Sequence, residues 1–143
     1  MAYYEALGLK SEPFSISPDP AFFYRSAAHT SALQRLEIAV RLKRGLSLIL
    51  GDVGTGKTTL GRVLAQAFRD EKDVEFYPIL NPLFQSEFQF LEHLCKLFQT
   101  GAAPRSTMDC LEAIQSSLYR KGVEEGKTTV LLIDEGQNLS ATL

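Results

Sequence analysis

Cysteine is scarce in this chain. Cys95 and Cys110 are the two present, and neither belongs to a Cys-x-x-Cys pair or a Cys/His cluster, which argues against a disulfide framework or a zinc site. Both are expected as free thiols in helices. Long apolar runs are also missing: "LSLIL" at 46–50 and "VLLI" at 130–133 fall far short of the roughly 20 residues a spanning helix needs, so no membrane crossing is expected. The opening "MAYYEALGLKSEPF" has acidic Glu5 early and no charged-then-apolar leader, which points to a cytoplasmic chain. Charge of one sign is not in excess. A net charge of -2 exerts no global pull on nucleic acid or anionic lipid, and the local cluster Arg35, Arg41, Lys43 and Arg44 reads as a solvated helix face rather than a DNA surface. Internal repeats and low-complexity tracts are absent.

What is present suits one ordered domain. At 143 residues, 45% hydrophobic and 22% charged, the chain can bury about two thirds of its unfolded surface. The first 24 residues, rich in proline and aromatics, read as a packed strap of extended chain and turns. A helix is expected from about Ser26 or Thr30 to Arg44, with Leu33, Leu36 and Val40 on its apolar side and Gly45 as its stop. Then "LSLIL" reads as a buried strand, "GDVGTGKT" as a loop, and "TLGRVLAQAFRD" as a helix with Leu60, Val63, Leu64, Ala67 and Phe68 on one face. A second strand, "VEFYPIL" at 74–80, is followed by helices from Ser86 and near "TMDCLEAIQSSLYRKG", and then by the strand "TVLLI". Alternating strands and helices of these lengths predict an α/β fold with a parallel sheet, and "VLLI" suits a strand covered on both faces.

The loop "GDVGTGKT", residues 51–58, fits G-x-x-x-x-G-K-[ST] and has the strand before and helix after that the pattern requires. Gly51, Gly54 and Gly56 let the backbone turn so that successive N–H groups face one concavity at the positive end of the next helix, where polyphosphate oxygens can accept them. Asp52, Val53 and Thr55 fill the variable positions. Lys57 brings a mobile charge for the outer phosphates, Thr58 a hydroxyl for magnesium, and Thr59 further local hydrogen bonding.

The strand "TVLLI" delivers Asp134 and Glu135. In open parallel sheets ligands sit beyond the carboxyl ends of the strands, so the tail and the loop are expected to converge. Asp134 is placed to hold magnesium opposite Thr58, and Glu135 to orient and polarise a water attacking the terminal phosphate. An Asp-Glu turn alone is more often solvated than catalytic. Its pairing with the upstream loop decides for catalysis.

Together "GDVGTGKTT" and "LLIDEGQNL" resemble the Walker A and Walker B motifs of AAA+ ATPases. The opening "YYEALGLKSEPFSISPDPAFFYRSAAHTSAL" further resembles the general secretion pathway protein A family, the ExeA-like ATPases, and the likeness covers the whole chain. The resemblance implies a three-layer α-β-α P-loop NTPase in which residues 51–59 bind ATP, Lys57 meets the β and γ phosphates, Thr58 and Asp134 serve Mg2+, and Glu135 is the catalytic base. It also implies that the strap near Pro18 to Tyr24 and the helix from His29 help enclose adenine. Gly136 departs from the family's Asp-Glu-Ala-Gln, without removing a functional group.

The same resemblance implies a sheet order of 5-1-4-3-2, with sensor residues, an arginine finger, further strands and a helical lid following Leu143. Residues 1–143 are therefore expected as a truncated AAA+ domain: strap and helix over 1–44, and a nucleotide-binding core from 45 through the Walker B strand. A missing central strand would leave "LSLIL" and "TVLLI" with unpaired backbone groups and make the isolated segment unstable. The function implied is ATP hydrolysis coupled to assembly or transport at the bacterial inner membrane. Its expected setting is a homo-oligomer when full length, with secretion or assembly proteins as partners and membrane association through a region beyond Leu143. The rival readings are a DNA-handling AAA+ ATPase of the transposition or replication-initiation type and a nucleotide-binding fragment without turnover.

Overall fold

The computed structural model describes residues 3–12, 19–101 and 103–140. The stretch of the expected strap at 13–18 lies outside them. The chain divides into two compact units, residues 1–67 and 68–143.

The first unit opens with a short helix, α1 (Tyr3–Ala6), and a 3-10 turn, Pro20–Phe22, whose start is capped by the Asp19 carboxylate accepting from the Ala21 N–H at 2.8 Å. Helix α2 (Ala27–Arg41) begins where its N-cap Ser26 accepts from the His29 N–H, leaving Leu33 buried. It stops three residues before the expected Arg44, and Gly45 is not the stop. Lys43 takes the left-handed conformation, φ 51, and the Lys43 and Arg44 N–H groups return to the carbonyls of Val40 and Ala39 at 3.0 and 2.9 Å. That double return is a Schellman closure, in which a lysine occupies the position glycine usually fills. Helix α3 (Lys57–Ala67) buries Leu60, Val63 and Leu64, as its 3.6-residue spacing predicts, but Ala67 is exposed. Both α2 and the Pro20–Phe22 turn pack on α3.

Between α2 and α3 the expected strand at 46–50 does not form. A strand exists only as one side of a hydrogen-bonded pair, and among the described residues none pairs with this run. Leu46, Leu48 and Leu50 are 89%, 75% and 82% exposed.

The second unit holds the sheet. Strands β1 (Val74–Ile79) and β2 (Thr128–Ile133) run parallel in the register Val74↔Thr128 to Ile79↔Ile133. Counting 46–50 as the first, these are the second and third strands of the expected order, and they are neighbours as that order requires. The ladder places the carbonyls of Asp73 and Ile79 toward β2, at 2.6 Å from the Thr128 N–H and 2.8 Å from the Asp134 N–H. Strand residues alternate sides, so Pro78, which has no N–H to give, faces the open edge where none is needed.

The crossover between the strands is two helices, α4 (Glu87–Leu97) and α5 (Thr107–Tyr119), each opened by a serine N-cap, Ser86 and Ser106. They cover one face of the sheet. Ile79 packs there with Leu91, Leu94, Cys95, Phe98, Cys110 and Ile114, and Tyr77, Leu131 and Ile133 lie against this cluster. Each fully buried side chain of this kind contributes about 1.5–3 kcal/mol. Cys95 and Cys110 are free and in helices, as expected, with the Cys95 thiol donating to the Cys110 carbonyl at 3.6 Å. On the other face Phe68 meets Phe76, ring centroids 5.6 Å apart. The residues of β2 are all half-buried rather than buried, so the expectation of a fully covered strand is corrected.

At the amino ends of the strands, α5 runs into a single π-helical turn, Arg120–Glu124, that sets Lys121 over the sheet. Glu75 accepts from the ammonium groups of Lys121 at 2.6 Å and Lys127 at 2.7 Å, and from the Tyr77 hydroxyl at 2.6 Å. Lys121 also donates to the Tyr77 oxygen, and Lys127 pairs with Glu125 at 2.9 Å. The hydrogen bonds from Lys121, then Lys127 and Tyr77, hold the Glu75 carboxyl down to about 2, against 4.5 for the ordinary group. Burial opposes the charge on Lys121, yet the bonds to Glu75 and Tyr77 outweigh it and raise its pKa.

A depressed carboxyl contributes stability that is complete above the unfolded value, near 4.5, and is lost as pH falls through the folded value, near 2. Discounted for its partial exposure, this contribution is on the order of 2 kcal/mol. Glu75→Gln is expected to cost that much at pH 7. In urea denaturation repeated from pH 7 down to pH 2, the gap between wild type and variant narrows below pH 4.5. A gap independent of pH would show that the Glu75 charge does not stabilise the fold.

Candidate functional site

The candidate residues fall into two groups, one in each unit. In the first unit, the loop at 51–56 leads directly into α3, so the positive end of the helix dipole and its first N–H groups stand at the end of the loop. Gly54 and Gly56 have φ of 79 and 86, conformations that other residues adopt only under strain. At Gly51 the constraint is space, since a Cβ there would meet the Thr55 hydroxyl oxygen at 3.0 Å. The loop is braced internally. The Thr55 hydroxyl donates to the Asp52 carbonyl at 2.8 Å, and the Lys57 ammonium spans the loop to the carbonyls of Gly51 at 2.9 Å and Asp52 at 2.7 Å. Val53 is fully exposed at the tip, while Thr58 and Thr59 are half-buried on the first turn of α3.

The same unit adds His29, from the first turn of α2. Its Nε2 lies 2.8 Å from the Thr55 carbonyl oxygen.

In the second unit, β2 ends at Ile133, and the Asp134 N–H extends the ladder by one bond to the Ile79 carbonyl. Asp134 is half-buried, and its Oδ1 accepts from the Glu135 N–H at 3.0 Å. Glu135 is exposed in the left-handed conformation, φ 54, and opens the 3-10 turn Gly136–Asn138. Its carboxylate accepts a hydrogen bond from the Gln137 amide, while the Asn138 amide reaches Asn81, just past the end of β1, at 2.9 Å. The acidic pair is thus held at the carboxyl end of the two strands by a turn tied across to the neighbouring strand. Gly136 starts that turn without positive φ, so no steric need for glycine exists there.

Gln137, Asn138 and Asn81 are the functional candidates that sequence reasoning missed. The spacing Asp-Glu-x-Gln is the signal that could have found Gln137. The Asn81–Asn138 tie had no local signal, because it joins residues 57 apart in the chain.

Among the described residues, no group of three or more His, Cys, Asp or Glu side chains is arranged to hold a metal, and no helix is long and apolar enough to cross a membrane. A shallow recess of about 350 Å³ at the end of α4, beside Glu92, Cys95 and Lys96, includes none of the residues above.

With this geometry in hand, known proteins supply the decisive observation: the AAA domain family matches residues 40–143, a span that contains both the loop and the acidic pair. The chain belongs to the AAA domain family. It is also similar to "General secretion pathway protein A" of Aeromonas hydrophila, 35% identical over 137 residues, which is 96% of this chain and 24% of that protein. The chain therefore spans about a quarter of the length of this relative. No solved structure matches it. The AAA assignment and this similarity support the resemblance read from the motifs and the opening segment, and with them an AAA+ ATPase with a nucleotide-binding site.

Proposed function

We propose that residues 1–143 form the nucleotide-binding part of an AAA+ ATPase, with a strap and helix over 1–44 and the core from 45 onward, in a three-layer α-β-α arrangement. The observation that carries this reading is the glycine-rich loop, closed on itself by Lys57 at the head of α3. Gly51, Asp52, Val53, Gly54, Thr55, Gly56, Lys57, Thr58 and Thr59 cradle the polyphosphate of ATP. Lys57 contacts the β and γ phosphates, and Glu135 accepts the proton of the attacking water.

The donor set fits magnesium. A threonine hydroxyl and a carboxylate are hard oxygen ligands, which suits an ion that takes most of its shell from water and phosphate. Thr58 and Asp134 are the residues that would hold it. When bound, Mg2+ neutralises charge on the transferred phosphoryl group. Lys57 orients the phosphates, Asp134 fixes the Glu135 N–H through its own carboxylate, and Gln137 steadies the Glu135 side chain.

The similarity to a general secretion pathway protein A supports a role for the longer protein in secretion or assembly at the bacterial inner membrane, as a homo-oligomer coupling ATP turnover to that process. Calorimetric titration of the 143-residue chain tests the nucleotide reading. Mg-ATP is expected to bind, and removal of magnesium with EDTA to weaken the affinity about tenfold or more, as loss of one strong charge interaction implies. A folded chain that binds no Mg-ATP would refute it.

A further inference from the structure

His29 is oriented from several sides, and its one remaining donor goes into the loop. Ser26 sits at the N-cap of α2, its Oγ accepting from the His29 N–H at 3.3 Å and lying 2.7 Å from His29 Nδ1. The ring stands edge-on to Phe23, centroids 5.3 Å apart, just after the Pro20–Phe22 turn. A Cβ added at Gly56 would lie 3.5 Å from Nε2, so the loop backbone runs directly under the ring.

The hydrogen bonds determine the tautomer. A carbonyl oxygen only accepts, so the 2.8 Å contact to Thr55 places a proton on Nε2. In the neutral ring Nδ1 is then an acceptor, and the Ser26 hydroxyl donates to it while its oxygen accepts from the His29 backbone. Every group in this relay has a partner of the right sense.

The consequence falls on the Thr55–Gly56 peptide. Because a peptide unit is planar and trans, holding the Thr55 carbonyl toward His29 turns the Gly56 N–H the opposite way. At φ 86 that glycine has no steric preference of its own to keep the peptide so oriented.

We propose that His29 is a positioning residue for the phosphate loop, its Nε2–H holding the Thr55 carbonyl so that the Gly56 N–H is aimed in advance at a phosphate oxygen. This rests on the reading of residues 51–58 as a phosphate loop. It assigns His29 to the phosphate end of the nucleotide, whereas the family resemblance places the helix from His29 near adenine.

The two assignments separate when ATP is compared with inorganic tripolyphosphate, which has no base. Affinities of Mg-ATP and Mg-tripolyphosphate are measured for wild type, His29→Ala and His29→Gln. Gln keeps an N–H at similar reach. His29→Ala is expected to weaken both ligands by about five- to tenfold, the size of one lost neutral hydrogen bond and some loop order, and His29→Gln to recover most of the loss. Unchanged affinities in His29→Ala would overturn the proposal while leaving the phosphate-loop reading standing. A loss for ATP without loss for tripolyphosphate would overturn it in favour of adenine. If wild type binds neither ligand, the phosphate-loop reading fails and the role of His29 with it. Should His29→Ala not fold, ring-nitrogen NMR of the wild-type chain decides: protonated Nε2 with bare Nδ1 is expected, and the opposite tautomer would overturn the relay.

Discussion

Glu135→Gln is expected to lower ATP hydrolysis by about 10² to 10⁴ while leaving the Mg-ATP affinity within about twofold, the range a positioned general base supplies. The substitution keeps size and shape, and a glutamine carbonyl can still accept from the Gln137 amide that now bonds Oε2. The backbone at φ 54 and the turn that follows it make no demand on the carboxylate charge. What the variant loses is the ability to take a proton. A bland reading, in which Glu135 merely opens an exposed turn, predicts no change in either quantity. Single-turnover phosphate release and equilibrium titration read the two separately, and unchanged release would remove Glu135 from the reaction.

Lys57→Ala is expected to weaken Mg-ATP about a hundredfold. The ammonium has three donors, and two are directed to the loop carbonyls of Gly51 and Asp52. A hydrogen bond to a charged phosphate contributes about 1.5–3 kcal/mol, where 1.4 kcal/mol is tenfold in affinity, and the lost brace across the loop adds to it. Lys57→Met separates stem from charge, since it retains the apolar chain across the loop. It should bind as poorly as the alanine variant. Wild-type affinity in Lys57→Met would show that the ammonium does not meet the phosphates.

The parts of the fold legible in the sequence are those whose signal is local. Ser26 and Ser86 mark helix starts because a serine before an apolar-periodic run can satisfy a backbone N–H, and both serve as N-caps. Strands at 74–80 and 129–133 are readable from β-branched and aromatic runs, each within one residue of the observed Val74–Ile79 and Thr128–Ile133, and their parallel pairing from the two helices between them. The run at 46–50 looked equally strand-like, yet pattern records only what a segment can do; a ladder also needs a neighbour. The end of α2 is not legible, because Gly45 carries the usual stop signal while Lys43 adopts the left-handed turn itself. In the candidate site, the glycines, Lys57, Thr58 and the Asp134–Glu135 pair were evident from spacing. The latch from His29 and the tie from Asn81 to Asn138 were not, since each depends on chain folding back over 26 and 57 residues.

The ionic cluster around Glu75 occupies one end of the β1–β2 pair, and Asp134 with Glu135 the other. Anyone engineering this protein therefore has two levers that act nearly independently, because sites so separated add their effects. Substitutions around Glu75, Lys121 and Lys127 would lower durability near neutral pH, with little effect in strong acid, and leave the proposed chemistry alone. A library selected only for surviving heat or acid would pass inactive Glu135 variants unnoticed, so selection for robustness and selection for turnover have to be run as separate screens.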